Sequence, residues 1–154
     1  MLVAINAGHC PGMDPGAVGS KCNEADVVDY IARVVCNDLK NVGIEALFIQ
    51  ENELYDICNI ANNNNADLFV SIHCNSATPA AEGTETFYCP GSINGEKLAE
   101  CVQNQLVSTM DSIDRGVKEH AWYVIKYTDM PAILTEIGFI SNECEQDYII
   151  NHKD

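Results

Sequence analysis

The sequence predicts a three-layer α/β domain, a mostly parallel twisted sheet flanked by helices. Three observations lead there. Apolar runs of strand length alternate along the chain with stretches whose apolar residues recur at helical spacing. Strands that alternate with helices imply a mostly parallel sheet covered on both faces. The 154 residues, 47% of them hydrophobic and 20% charged, are enough for one substantial core and too few for two. No internal repeat, linker or composition break divides the chain, so residues 1–154 are expected to form a single domain.

The elements follow in order. Residues 2–6 read as a buried strand. From Glu24 to about Leu39, the positions Val27, Val28, Ile31, Val34, Val35 and Leu39 keep helical spacing. Asn41 to Gly43 ends that helix, and GIEALFIQ carries the second strand. Residues 54–62 predict a short helix that stops in the NNNN run, and LFVSI at 68–72 is the third strand. TETFY at 84–88 is the fourth. A helix over about 95–110 places Leu98, Ala99, Val102, Leu106 and Met110 on one face. WYVI at 122–125 reads as a short strand or extended segment, AILTEI at 132–137 as the last strand, and ECEQDYII as the start of a final helix.

Charge narrows the choice of partner. Eight Lys and Arg stand against 23 Asp and Glu, a formal net charge of −15. Nucleic acid and anionic membranes are recognised through clustered Lys and Arg, so neither is an expected partner; a divalent cation or a neutral or basic substrate fits better. No apolar run is long enough to span a bilayer. The opening MLVAIN lacks a basic leader and runs directly into a strand, so synthesis in the cytoplasm without a signal peptide is expected. Eight cysteines, at 10, 22, 36, 58, 74, 89, 101 and 144, form no C-x-x-C pair and no rhythm. Mostly reduced thiols are expected, with residues such as Cys36 and Cys101 acting as small hydrophobes on helices.

In an open parallel sheet, ligands bind at the carboxyl ends of the strands. Three apolar runs end there on a coordinating or acidic residue: INAGH on His9, FVSIH on His73 and AILTE on Glu136. Glu24 joins them by opening the helix that returns from the first strand, at a helix terminus that favours negative charge. Two histidines and one carboxylate with an open fourth position form a ligand set for catalytic zinc. A further carboxylate is then needed to move protons, and Glu136, set among Ile133, Leu134, Ile137, Phe139 and Ile140, should be strongly desolvated. Each residue also has an ordinary structural use. A histidine at a strand end serves equally as a hydrogen-bonded core residue, and a glutamate at a helix start as a complement to the dipole. His120 and His152 are read as surface residues, and Glu85 and Glu119 as solvated or cross-strand charges.

The segments GHCPGMDPGAVG, Glu24, ANNNNADLFVSIHCNSA, GTETFY and DRGVKEHAWYVIKYTDMPAILTEIGFISN carry a resemblance. Together they resemble the zinc-dependent N-acetylmuramoyl-L-alanine amidases of the type 3 family, found in bacterial autolysins and phage endolysins, over nearly the whole chain and in the same order. The resemblance implies that His9, Glu24 and His73 hold one zinc ion and that Glu136 is the catalytic glutamate. It implies peptidoglycan as substrate and hydrolysis of the amide between N-acetylmuramic acid and L-alanine, with the protein acting on the cell wall after its release. Departures are local. GHCPG stands where the family commonly writes GHGG, Gln50 and Ile57 stand where arginines are frequent, and the last helix is shorter than usual. The resemblance and the charge together lead to the expectation of a catalytic domain from a longer modular protein, with a separate wall-binding domain.

Three other readings remain open. A thiol hydrolase could use Cys10 or Cys74 beside His9 or His73, although neighbours on a strand point to opposite faces. A metal-free glycosidase could pair Glu24 with Glu136. A non-catalytic glycan-binding domain would hold no zinc.

Overall fold

The computed structural model of the chain describes residues 1–110 and 112–152. The strands are β1 (Leu2–Ala7), β2 (Glu45–Ile49), β3 (Leu68–Asn75), β4 (Thr84–Tyr88), β5 (Asp114–Glu119) and β6 (Ala132–Phe139). The helices are α1 (Glu24–Asn41), α2 (Leu54–Asn63), α3 (Ile93–Met110), α4 (Tyr123–Lys126) and α5 (Glu143–Asn151). They form a sheet of order β2-β1-β3-β6-β4-β5 with helices on both faces, the three-layer α/β arrangement expected.

Alternation along each strand sorts the core into two layers. Val3, Ile5, Ile72 and Ile137 face Val27, Val28, Ala32 and Ile149 of α1 and α5, while Ala4, Phe69 and Leu134 face Ile57 and Ala61 of α2 and Val124 of α4. β1 pairs in parallel with β2 and β3, and β3 with β6. The carboxyl ends of β1, β3 and β6 therefore lie along one edge. β4 runs antiparallel to β6, and β5 parallel to β4. Residues 76–83 contain no helix, and a parallel return needs a crossover, so the chain turns back at the same edge.

Two segments differ from expectation. DRGVKE forms the edge strand β5, which the sequence reading left unassigned because its charges and glycine carry no apolar signal. WYVI is no strand: Tyr123–Lys126 makes one turn of helix. Val124 and Ile125 are both buried, at 5% and 3% exposure, which an alternating strand on a one-sided surface does not allow. A four-residue apolar run does not distinguish the two periods, and packing against α2 and β6 decided. No disulfide joins any of the eight cysteines among the described residues. Cys36 is buried as expected, but Cys101 is exposed and packs as no hydrophobe.

Candidate functional site

The loop between β1 and α1 is built around His9. The chain leaves β1 through Gly8, whose backbone passes so close to His73 that an added Cβ would lie 2.3 Å from the imidazole Cε1. His9 then takes φ of 60°, a left-handed conformation that costs a non-glycine residue roughly 1 kcal/mol or more and persists only where surroundings over-determine it. Here Asp14 supplies the determination. Its Oδ2 lies 2.7 Å from His9 Nδ1, and its Oδ1 accepts the Gly16 N–H at 3.0 Å, closing an Asx turn through DPG. Gly16, at φ 64°, leaves room for both the His9 ring and Glu24 Oε2, which a Cβ would meet within 2.7 Å. The sequence reading assigned the DPGA loop no individual contact. An aspartate five residues after the histidine, in a turn-forming DPG, was the available signal.

Glu24 is the first residue of α1, capped by Asn23, whose side chain accepts the Asp26 N–H. The residue is 3% exposed, and each of its carboxylate oxygens has one backbone N–H and one imidazole nitrogen beside it. Oε1 accepts the Cys74 N–H at 2.9 Å and lies 3.0 Å from His73 Nδ1. Oε2 accepts the Ala17 N–H at 2.9 Å and lies 3.2 Å from His9 Nε2. Burial opposes its ionisation most strongly, but hydrogen bonds from His73 and His9 and the charge of His73 together hold the carboxyl well below the usual range. The same contact to Glu24, reinforced by Asp14 against the cost of burial, lifts His9 to about 9. One ligand atom from each of His9, Glu24 and His73 lies within 4.8 Å of the others, and this trio could hold a metal ion. The set of two imidazole nitrogens and one carboxylate oxygen, with the far nitrogen of His9 tied to a carboxylate, suits an intermediate metal such as zinc.

Glu136 faces this group from the adjacent strand, in register with His73 across the β3–β6 pair. Its Oε2 is buried and has no hydrogen-bond partner. Burial, with the negative charges of Glu24 and Glu85, pushes its pKa up to about 8. Across β6 it pairs in register with Glu85 of β4. Glu85 corrects the sequence reading in part: it is cross-strand but not solvated, at 5% exposure. It accepts from Asn75 Nδ2 at 2.6 Å and pairs with Arg115 at 3.2 Å and with Lys118. Burial opposes its charge, but Lys118 and Arg115 prevail and keep its pKa below the ordinary value. Two neighbouring carboxylates are thus held ionised by partners while the one between them has none.

His120 and His152 stay on the surface, away from the trio. Beside His9 and His73 a cleft of about 180 Å³ runs between the start of α2, with Glu51 and Leu54, and the start of α4, with Trp122 and Tyr123. Cys74 points into the opposite core, where burial raises its thiol well above the ordinary range, so it is no nucleophile. Glu24 is 3% exposed and does not line this cleft, so a sugar linkage lying in it would not reach the Glu24 carboxylate.

A family profile described as N-acetylmuramoyl-L-alanine amidase matches residues 3–154. Among curated proteins, the chain is 41% identical over 151 residues to the uncharacterised protein YqiI of Bacillus subtilis, covering 94% of this chain and 73% of that one. It is 37% identical over 147 residues to the N-acetylmuramoyl-L-alanine amidase LytC of the same organism, covering 91% of this chain but 29% of the relative. Among solved structures, an N-acetylmuramoyl-L-alanine amidase from Clostridium difficile superposes with a TM-score of 0.92 at 34% identity, over 99% of this chain and 87% of that one.

Proposed function

Because the chain belongs to the N-acetylmuramoyl-L-alanine amidase family, we propose that it hydrolyses the amide between N-acetylmuramic acid and L-alanine in peptidoglycan. His9, Glu24 and His73 would hold one zinc ion. The observation that carries this reading is the convergence of three donor atoms within 4.8 Å at the edge where half-buried Glu136 keeps an enclosed carboxylate oxygen without a hydrogen-bond partner. When bound, zinc polarises a carbonyl oxygen and makes water a nucleophile near neutral pH.

The remaining work falls to the chain's own groups. Asp14 fixes the His9 ring and leaves Nε2 directed at the trio, and the Ala17 and Cys74 N–H groups orient the Glu24 carboxylate. Glu136 takes the proton of the attacking water on its carboxylate and gives it to the leaving alanine nitrogen. Burial and the charges of Glu24 and Glu85 raise Glu136 to about 8 in the metal-free site, which suits the proton-donating half of that exchange, and beside a bound dication its pKa would fall toward the range of a base. A wall-binding domain elsewhere in the full protein would supply attachment, in keeping with the much greater length of LytC.

The bond broken decides the reading. Digested walls should gain N-terminal alanine with no rise in reducing sugar, and a chelator should abolish the release until zinc is restored. New reducing ends that form in the presence of chelator would show a glycosidase. Walls bound but uncut by protein that retains no zinc would show a binding domain.

A further inference from the structure

The cleft beside the candidate metal centre has one wall that the reaction does not use. Trp122, the only tryptophan in the chain, lines it at 42% exposure. An exposed indole is ordinarily mobile, but this one is braced from behind. The His120 ring stacks on it at 3.9 Å between centroids and 24° between planes, and Phe87 meets it edge-on at 6.2 Å. His120 is itself anchored through its backbone N–H to the Tyr88 carbonyl. Next to it, Tyr123 is held against Tyr127 at 4.5 Å. The result is a rigid, flat aromatic surface in the same cleft as His9 and His73. Across from it, Glu51 and Asn52 offer hydrogen-bond groups.

We propose that Trp122 is the platform for the glycan side of the substrate, stacking on the apolar face of a pyranose ring next to the scissile amide. The inference rests on the amidase reading above. The electron-rich face of an indole attracts the polarised C–H groups that a pyranose presents on one side, while the hydroxyl and acetamido edges seek polar partners such as Asn52 and Glu51. The alternative occupant, the stem peptide, carries carboxylates. No Lys or Arg lines this cleft among the described residues, Asp14 and Glu51 add negative charge to it, and positive charge would come from His9 and a metal held beside it and not from the Trp122, Tyr123 and Val124 wall, so a peptide carboxylate would meet no countercharge at that wall. A neutral sugar meets no such penalty. Trp122 is here a specificity-determining residue and takes no part in proton transfer.

Having a single tryptophan makes the test direct, because all indole emission comes from the proposed platform. Zinc-loaded wild-type protein is titrated with a neutral oligomer of N-acetylglucosamine as the glycan, which keeps the pyranose and acetamido groups without the lactyl carboxylate that peptide removal exposes, and separately with the free stem peptide; neither contains the scissile amide. Saturable quenching or a blue shift with the glycan and none with the peptide is the expected result. An equal or larger change with the peptide, or none with the glycan, overturns the proposal. In parallel, Trp122→Ala should raise KM for intact wall about tenfold with kcat within about twofold, and Trp122→Phe should recover most of the loss, the pattern of removed uniform binding. Release of N-terminal alanine by the same wild-type preparation separates the two ideas. Alanine release with unresponsive fluorescence sinks the platform alone, whereas no release from intact wall sinks the amidase reading.

Discussion

At the scale of single residues, the site depends on which carboxylates have partners. Asp14 is half-exposed, yet it holds His9 Nδ1 and, with Glu24 at Nε2, sets the orientation of the ring. Outer-shell partners of metal-ligating histidines typically contribute 10–100-fold to affinity. Asp14→Ala should therefore weaken zinc binding by about that factor in a competitive chelator titration, with the far-ultraviolet spectrum unchanged; undiminished affinity would remove Asp14 from the site. Glu136 behaves in the opposite sense. As a proton carrier outside the ligand set, its replacement in Glu136→Gln should reduce turnover roughly a hundredfold or more while zinc content stays near one equivalent. It should also stabilise the metal-free fold. A carboxyl raised from 4.5 to about 8 in the native state binds its proton more tightly folded than unfolded, so stability is lost as pH rises through that window. The variant should match wild type in unfolding free energy near pH 4 and exceed it at pH 7–8 by roughly 2–4 kcal/mol in chemical denaturation. A gain of the same size at both pH values would point to some cause other than ionisation.

At the scale of elements, the β1–α1 loop is held from the far end of the sequence. Gln146 of α5, at 1% exposure, accepts the Lys21 N–H at 2.7 Å and the Cys22 N–H at 3.2 Å and donates to Ser20 Oγ at 3.1 Å. Gly19 leaves the space, since a Cβ there would sit 2.6 Å from the amide oxygen. Lys21 adds a surface pair to Asp147. The clamp fixes the segment that leads into Asn23 and Glu24, so α5 braces a candidate ligand through the loop before it. Gln146→Leu leaves two N–H groups without their acceptor and should cost roughly 2 kcal/mol in chemical denaturation. It should also lower zinc affinity, because the loop that carries Glu24 into α1 loosens. Lost stability with unaltered metal affinity would limit Gln146 to the fold.

At the scale of the whole molecule, the formal charge of −15 opposes approach to an anionic wall. Screening should relieve that repulsion as the Debye length falls from ~30 Å at 0.01 M salt to ~8 Å at 0.15 M. Hydrolysis of intact walls by this chain should therefore speed up over that range, while cleavage of a small neutral muramoyl-peptide should barely change. A wall rate that falls with salt would mean that local cations, such as Arg115 and Lys118, dominate the encounter.

The order of β1 to β4, α1 to α3, β6 and α5, the parallel core of the sheet and the edge that gathers His9, His73 and Glu136 were legible in the sequence. Periodicity reports burial, and chain direction in an α/β sheet places strand ends without reference to any particular contact. The structure refined even these placements, since His73 and Glu136 lie inside β3 and β6 and only His9 lies beyond its strand. What the sequence alone did not determine depends on distant partners. DRGVKE became a strand by pairing with β4, and YVIK became a helical turn by packing on α2, because short segments have too little periodicity of their own. Glu85 was read as an ordinary charge until Lys118 and Arg115 gave it a buried place, and Gln146 had no visible role until it met a loop some 125 residues away. Burial pattern is written locally in a sequence, whereas pairing of polar groups across the fold exists only once the chain has closed on itself.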